Sequence, residues 1–292
     1  MSVAVHGAMT LPAGMDKVLL SIGHGYCAQA LAALLIPLGW RVIGTTRSKK
    51  NSNSMIDKGT EPLIWPGSEL PFSEVSHVLS SVAPGEGEDP VLSENATKLR
   101  RATQLKWVGY LSTTGVYGDH AGGWVDEMTP PAPTTQRGKA RDAAEAAWQA
   151  LELPLHIFRL AGIYGPGRGP FEKVRRGSAR RIIKKGQVFS RVHVDDIVQV
   201  LEASIRAPNP GAIYNVCDDD PAPPEDVIAY AAELLELPIP PAVAFEDAKL
   251  SPMARSFYAE SKRVRNDRIK SELGVALKYP DYRCGLRALL SD

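Results

Sequence analysis

The sequence predicts an α/β chain: a doubly wound parallel sheet with a smaller C-terminal cap. Three observations predict it. Short, almost continuous apolar runs recur at Lys17–Ile22, Arg41–Thr45, His77–Ser81, Trp107–Ser112 and Leu155–Leu160, as expected of strands buried on both faces. Helical stretches alternate with them at Gln29–Leu38, Pro90–Thr103 and Thr134–Leu151. Each parallel connection needs a crossover, so the alternation places helices on both faces of one sheet. Finally, 292 residues, 44% of them hydrophobic and 23% charged, suffice for one large globular unit or two coupled ones, and exclude a disordered or collagen-like chain.

After Gly162 the rhythm breaks. Gly165–Pro170 reads as a loop, Arg181–Phe189 as a hairpin, Val194–Ile205 as a helix and Ala212–Cys217 as a strand. Pro221–Pro224 opens a helix running to Leu235, and the proline-rich tail holds a helical stretch at Ser261–Leu273. The expected organisation is a flexible N-terminal extension over 1–15 and a sheet domain over 16–165. Residues 166–292 form mainly a cap, with 190–220 returning to the sheet. Trp107 and Trp148 fit buried core positions. Asp195 or Asp196 reads as the N-cap of its helix, and His193 as a hydrogen-bonded structural residue. The basic run Lys173, Arg175, Arg176, Arg180, Arg181, Lys184 and Lys185 reads better as a solvated hairpin than as a grip on substrate.

Charge narrows the partners. Thirty-four Lys and Arg against 33 Asp and Glu leave a net +1, which gives no whole-protein field for nucleic acid or an anionic membrane. The longest apolar stretch, Ala30–Leu38, is broken by Pro37, too short to span a bilayer. Residues 1–14 lack the basic region and long apolar core of a secretory signal. Three scattered cysteines, Cys27, Cys217 and Cys284, match neither a disulfide framework nor a zinc site, so no metal and a reducing, cytoplasmic setting are expected.

Chemistry concentrates first at Gly23-x-Gly25-x-x-Ala28, between a buried strand and an apolar helix. The first glycine permits a tight turn and the second a close backbone approach to a pyrophosphate. The small third residue lets helix and strand pack, with phosphates at the helix N-terminus. Dinucleotide binding on a Rossmann-type sheet is the reading. The second strand continues Arg41-Val-Ile-Gly-Thr-Thr-Arg47-Ser-Lys-Lys50 without a carboxylate. An acidic residue there would accept from a ribose 2′-hydroxyl, whereas Arg47, helped by Ser48, suits a 2′-phosphate. NADP(H) is therefore expected to be preferred over NAD(H).

Further motifs follow in order: Leu111-Ser-Thr-Thr-Gly-Val-Tyr-Gly118, Arg159-Leu-Ala-Gly-Ile-Tyr-Gly-Pro-Gly167, Arg191-Val-His-Val-Asp-Asp-Ile197, and Lys262-Arg263 with Asn266, Ile269 and Tyr279-Pro280. From about Lys17 to Leu290 the chain resembles the extended short-chain dehydrogenase/reductase superfamily, the NAD-dependent epimerase/dehydratase group. The resemblance implies that Thr113 binds the reacting oxygen. It implies a cofactor site of Gly23, Gly25, Tyr26, Cys27, Arg47, Ser48, Ser81, Val82, Ala83, Ser112, Arg141, Ala161 and Ile163. It also implies a small-molecule substrate, and a homodimer through the helices at Pro90–Thr103 and Thr134–Leu151.

The family's Tyr-x-x-x-Lys pair is where this sequence departs. Aligning Gln136-Arg-Gly-Lys-Ala-Arg-Asp-Ala-Ala-Glu145 on Gly138 and Glu145 puts Arg137 at the tyrosine and Arg141 at the lysine. An arginine stays protonated and cannot exchange a proton as the tyrosine does. Arg141 can still bond a ribose, and either cation can hold an anionic substrate. Tyr164, Tyr117, Lys139, His120 and Asp119 stand on segments the fold brings toward the cleft, Tyr164 foremost as a replacement. The expected function is an atypical NADP(H)-dependent oxidoreductase or epimerase acting on a small polar, sugar-like or anionic substrate through a non-standard proton donor. The alternative is a non-catalytic NADP(H)-binding sensor or regulator.

Overall fold

The computed structural model describes residues 16–85 and 87–291; the expected N-terminal extension lies outside them. β1 (Val18–Ile22) is buried at every position and leads through the glycine turn into α1 (Tyr26–Leu35), whose Leu31, Ala32 and Leu35 face the sheet. β2 (Arg41–Thr46) follows, then two elements the sequence pattern did not indicate, α2 (Lys49–Asp57) and β3 (Glu61–Ile64). β4 (His77–Ser80), α3 (Pro90–Arg101) and β5 (Trp107–Thr113) continue the alternation. The Asp89 carboxylate caps α3 by accepting from the Val91 and Leu92 amides.

Beyond the short β6 (Trp124–Val125), α4 (Gln136–Gln149) is capped by Thr135 and delivers the chain to β7 (Leu155–Leu160). β8 (Gly162–Tyr164), α5 (Phe171–Arg175), β9 (Arg181–Ile183) and β10 (Arg191–His193) begin the cap. α6 (Val194–Arg206) and β11 (Ile213–Val216) return to the sheet. α7 (Pro224–Leu234), β12 (Ala242–Ala244), α8 (Pro252–Phe257), β13 (Arg263–Val264), α9 (Asp267–Leu273) and α10 (Tyr282–Ser291) complete the chain.

The seven-stranded sheet runs β3-β2-β1-β4-β5-β7-β11, parallel throughout. The predicted Rossmann-type architecture is the observed one. One face is packed by Leu31, Trp107, Phe158 and Leu201, the other by Ile22, Tyr110, Trp148 and Ile157. A third cluster, with Phe171, Ala231, Tyr282 and Leu286, is the core of the cap.

Three local expectations are corrected. Arg181–Phe189 is not a hairpin: β9 pairs in parallel with β12, Arg181 opposite Ala242, so both strands need a partner remote in sequence. The helix expected over Ser261–Leu273 begins only at Asp267, because Arg263 and Val264 pair with Trp124 and Val125. The N-cap of α6 is His193 rather than an aspartate; its Nδ1 accepts from the Asp195 amide at 3.2 Å. Asp196 instead accepts from the Lys278 and Tyr279 amides, tying the tail to α6.

The basic run is mostly at the surface, yet two of its members are structural. Arg181 donates to the Pro240 carbonyl at 2.9 Å and Lys184 to that of Tyr258. α3 and α4 expose no large apolar side chain among the described residues, so a dimer through them would be held by polar contacts. Among the described residues, no helix is long and apolar enough to cross a membrane and no cluster could hold a metal. The three cysteines are unpaired thiols.

Candidate active site

The turn after β1 is built by the Thr45 hydroxyl, which accepts from the Gly23 amide at 2.8 Å. Gly23 sits at φ +76°, and a Cβ there would lie 2.9 Å from Val82 Cγ2, so neither backbone nor space admits a side chain. A Cβ at Gly25 would meet only the Gly23 carbonyl, at 3.7 Å. No side chain caps α1, so its first-turn amides keep their donors for an external acceptor. Gly23, Gly25, Tyr26 and Cys27 open onto a cavity of about 820 Å³. Ala28 is buried against the sheet. These features fit the pyrophosphate of a dinucleotide: a backbone cradle with room beside it and an unspent helix terminus.

Ser81, Ala83, Ser112, Ala161 and Ile163 line the same cavity, and Thr113 stands at its inner end. The Thr113 hydroxyl accepts from the Gly115 amide at 3.1 Å, which leaves its proton to donate to a ligand oxygen. Ser112 is locked differently. It donates to the buried Glu145 carboxylate, which Arg159 clasps at 2.7 Å through Nη2 and at 3.2 Å through Nε. Arg159 Nη1 donates to the Tyr117 hydroxyl, which donates to Asn215 at 2.7 Å. Burial opposes the Arg159 charge, but Glu145 outweighs it and holds the guanidinium protonated above its ordinary range. This network anchors the strand end that carries Thr113.

Arg137 and Arg141 both reach the cavity wall, with different engagements. Arg137 is exposed, its guanidinium 4.4 Å from the Phe257 ring centroid. Arg141 Nη1 donates to the Leu111 carbonyl and the Tyr110 hydroxyl at 3.0 Å, and to the Val82 carbonyl at 3.3 Å. It thereby fastens α4 to the ends of two strands. Val82 itself is not among the lining residues. Arg47, just after β2, is exposed and lies outside the cavity wall, and the Ser48 hydroxyl caps α2 by accepting from the Lys50 amide.

Tyr164, the foremost replacement for the family's tyrosine, lines the cavity and also packs in the cap cluster. It is 7% exposed, and a Cβ on Gly285 would fall 2.0 Å from its hydroxyl, so that hydroxyl is pressed against α10. Burial, reinforced by Asp218, pushes its pKa up. Tyr117, Lys139, His120 and Asp119, unlike Tyr164, do not line the cavity. Tyr117 is committed to Arg159 and Asn215, His120 bonds the Tyr117 carbonyl, and Asp119 accepts from the Ser261 amide.

Sequence reasoning missed the far wall, supplied by Arg168, Arg191, Phe257, Tyr258 and Lys262. Arg168 lies 5.6 Å from the Tyr26 ring centroid, and Lys262 donates to the Gly118 carbonyl at 2.6 Å. For Arg191 a signal existed: a lone cation between Ser190 and Val192, both buried.

No family model matches the chain. Its fold is nevertheless that of the NAD-dependent epimerase/dehydratase family, the extended short-chain dehydrogenases/reductases. A UDP-glucuronic acid 4-epimerase from Bacillus cereus, solved with UDP-glucuronic acid and NAD, superposes with a TM-score of 0.75 at 16% identity over 94% of this chain and 98% of that one. Within that fold the chain belongs to the same family as a conserved protein of unknown function from Silicibacter pomeroyi DSS, 62% identical over 94% of this chain and 98% of that one, with a TM-score of 0.91. Protein YeeZ of Escherichia coli K12 is 29% identical over 285 residues, 91% of this chain and 97% of its own.

Proposed function

We propose that this chain is an NADP(H)-binding, atypical short-chain dehydrogenase/reductase that carries out an oxidoreductase or epimerase step on a small molecule. One observation carries the reading: the uncapped α1, reached through Gly23 and Gly25, opens onto a cavity whose inner end holds the Thr113 hydroxyl. A nicotinamide bound there would supply hydride transfer. Thr113 would hold the reacting oxygen with its spare proton. Arg137, a fixed cation at the family's tyrosine position, would grip a negative group rather than shuttle a proton. The proton carrier is then non-standard.

Preference for the phosphorylated cofactor is argued from Arg47. Its neighbour in sequence along β2, Arg41, is consumed by a two-bond ion pair with Glu61. Arg47 has no ion pair or hydrogen bond among the described residues and projects from the strand end that has no carboxylate. NADPH should bind at least about tenfold more tightly than NADH, ~1.4 kcal/mol. Arg47→Asp should erase or invert that ratio, while Lys50→Ala should matter little. Fluorescence titration with both cofactors measures it, and tighter binding of NADH would sink the assignment.

The second reading, a non-catalytic NADP(H)-binding sensor or regulator, is favoured by Arg137 at the family's tyrosine position, since an arginine cannot shuttle a proton. Turnover of bound cofactor across sugars, sugar nucleotides, ketones and keto acids separates the two.

A further inference from the structure

A second cavity of about 760 Å³ lies in the cap and shares Ile163, Tyr164, Arg168, Arg191, Ala254 and Tyr258 with the first. Its walls are largely apolar, with Ile182, Val227, Ile228, Val243, Leu250 and Leu286 prominent. The hydrogen-bonding groups, Ser178, Tyr258, Tyr282 and the charged side chains, are set among these apolar walls. The charged groups are one-sided. Five cations, Arg168, Lys173, Arg180, Arg191 and Lys249, face a single acid, Asp247.

Arg191 differs from the other four. Arg168, Lys173, Arg180 and Lys249 are exposed rim residues, whereas Arg191 is drawn into the partition between the cavities. Its Nη1 donates to the Phe189 carbonyl at 2.9 Å and the Ala222 carbonyl at 3.0 Å. Both acceptors are neutral, and Arg191 forms no ion pair among the described residues. Asp218 is the acid that bears on it most strongly, yet neither of its carboxylate oxygens has a hydrogen-bond partner. Burial raises the Asp218 pKa above the ordinary carboxylate range against the pull of Arg191, and the two side chains form no ion pair among the described residues. A half-buried guanidinium that faces two cavities and has no ion pair among the described residues can take an anion delivered to either.

We propose that the cap cavity takes an anionic ligand with an apolar body. Arg191 holds its carboxylate or phosphate head, the rim cations draw it in, and Ile228, Val243 and Leu286 cover its body. The inference rests on the dinucleotide reading only in making this ligand the substrate that extends toward Thr113. It narrows the sugar-like or anionic substrate expected from sequence to an acid of aliphatic or aromatic character.

The test is calorimetric titration of the full chain, without cofactor, using octanoate, octyl phosphate, 1-octanol and UDP-glucuronic acid, with NADPH titrated separately. At least one of the two octyl anions should bind tenfold or more tightly than 1-octanol, and whichever binds better identifies the head group. Ile228→Glu should abolish that binding. Lys173→Glu combined with Lys249→Glu, both at the rim, should weaken it several-fold and flatten its salt dependence. Arg191→Leu should remove the preference for the anion over the alcohol; should that variant fail to fold, the wall and rim variants still decide. Equal affinity for octanol and the anions, binding unaffected by Ile228→Glu, or binding of UDP-glucuronic acid alone would overturn the proposal. Loss of NADPH binding with octyl-anion binding intact would instead sink only the dinucleotide reading.

Discussion

Arg159 is buried and Arg191 half-buried, and their surroundings contrast. On the sheet side every guanidinium nitrogen of Arg159 donates, to Glu145 or to the Tyr117 hydroxyl, and the pair is closed at 2.7 Å. On the cap side Arg191 bonds two neutral carbonyls, and buried polar atoms near it or elsewhere in the cap, Tyr164 Oη, Gln187 Oε1 and the Asp218 carboxylate, have no hydrogen-bond partner. Asn215 Nδ2 and Ser80 Oγ on the sheet side also lack partners, so the contrast lies in the two arginines. A guanidinium with every nitrogen engaged and an ion pair is fixed, whereas one bonded only to neutral carbonyls has capacity left for a ligand. The sheet half is thus built to hold Thr113 still, and the cap half to receive something.

Acid should expose the contrast most strongly. His24, His77 and His156 lie on the sheet half, and burial lowers each pKa from 6.5 to about 4, with Lys58 and Lys106 adding to the effect at the first two. Between those values the unfolded chain takes up protons that the folded chain refuses. Stability should therefore fall as pH drops from 6.5 to 4, by about several kcal/mol over the three histidines. Urea midpoints across that range measure it, and a flat profile would refute it. Next, Arg159→Leu leaves Glu145 buried without its cation and should cost about 3–5 kcal/mol of unfolding free energy. A loss below 1 kcal/mol would show that the network is not tight.

A smaller effect distinguishes the two arginines of α4. Arg141→Ala frees α4 from the Val82 and Leu111 carbonyls that flank the cavity. It should weaken NADPH binding by about 1–3 kcal/mol. Arg137→Ala, whose side chain rests on Phe257, should leave that affinity nearly unchanged. Equal losses from both would contradict the assigned places. The smallest effect has the opposite sign to the histidines. Burial raises the Asp218 pKa well above 3.8 in the fold, so as pH rises the unfolded chain releases that proton first and Asp218 costs stability. Asp218→Asn should gain about 1 kcal/mol at pH 8 and nothing near pH 3, a difference readable in thermal melts at the two pH values.

Legibility followed burial. β1, β4, β5 and β7 are buried at nearly every position, so their residues carry the pattern of a sheet interior without ambiguity. α2 went unseen because Lys49–Asp57 is polar with only Met55 buried, and β3 because an edge strand beginning Glu61-Pro62 is half-covered. The glycine cradle was legible because φ and close approach dictate residue type. The cap cavity was not. Ile182 and Val243 come together through a ladder between β9 and β12, and no local periodicity encodes a pairing at that separation. Arg191 acquires its meaning only when the chain brings it beside Ile163 and Tyr164.

The three small ladders of the cap are all parallel, joining Gly162 to Arg191, Arg181 to Ala242 and Trp124 to Arg263. None can be closed by a tight turn, and the last spans nearly half the chain. Loop-closure entropy must be met before such contacts give anything back. The order of assembly is thereby constrained: the β1–β5 half can condense while the chain beyond Ala242 is still unplaced, and the cap closes when Arg263 reaches Trp124. A dinucleotide cradle would exist before the chamber that gives it a substrate, so cofactor capture during folding could precede, and assist, the closing of the cap.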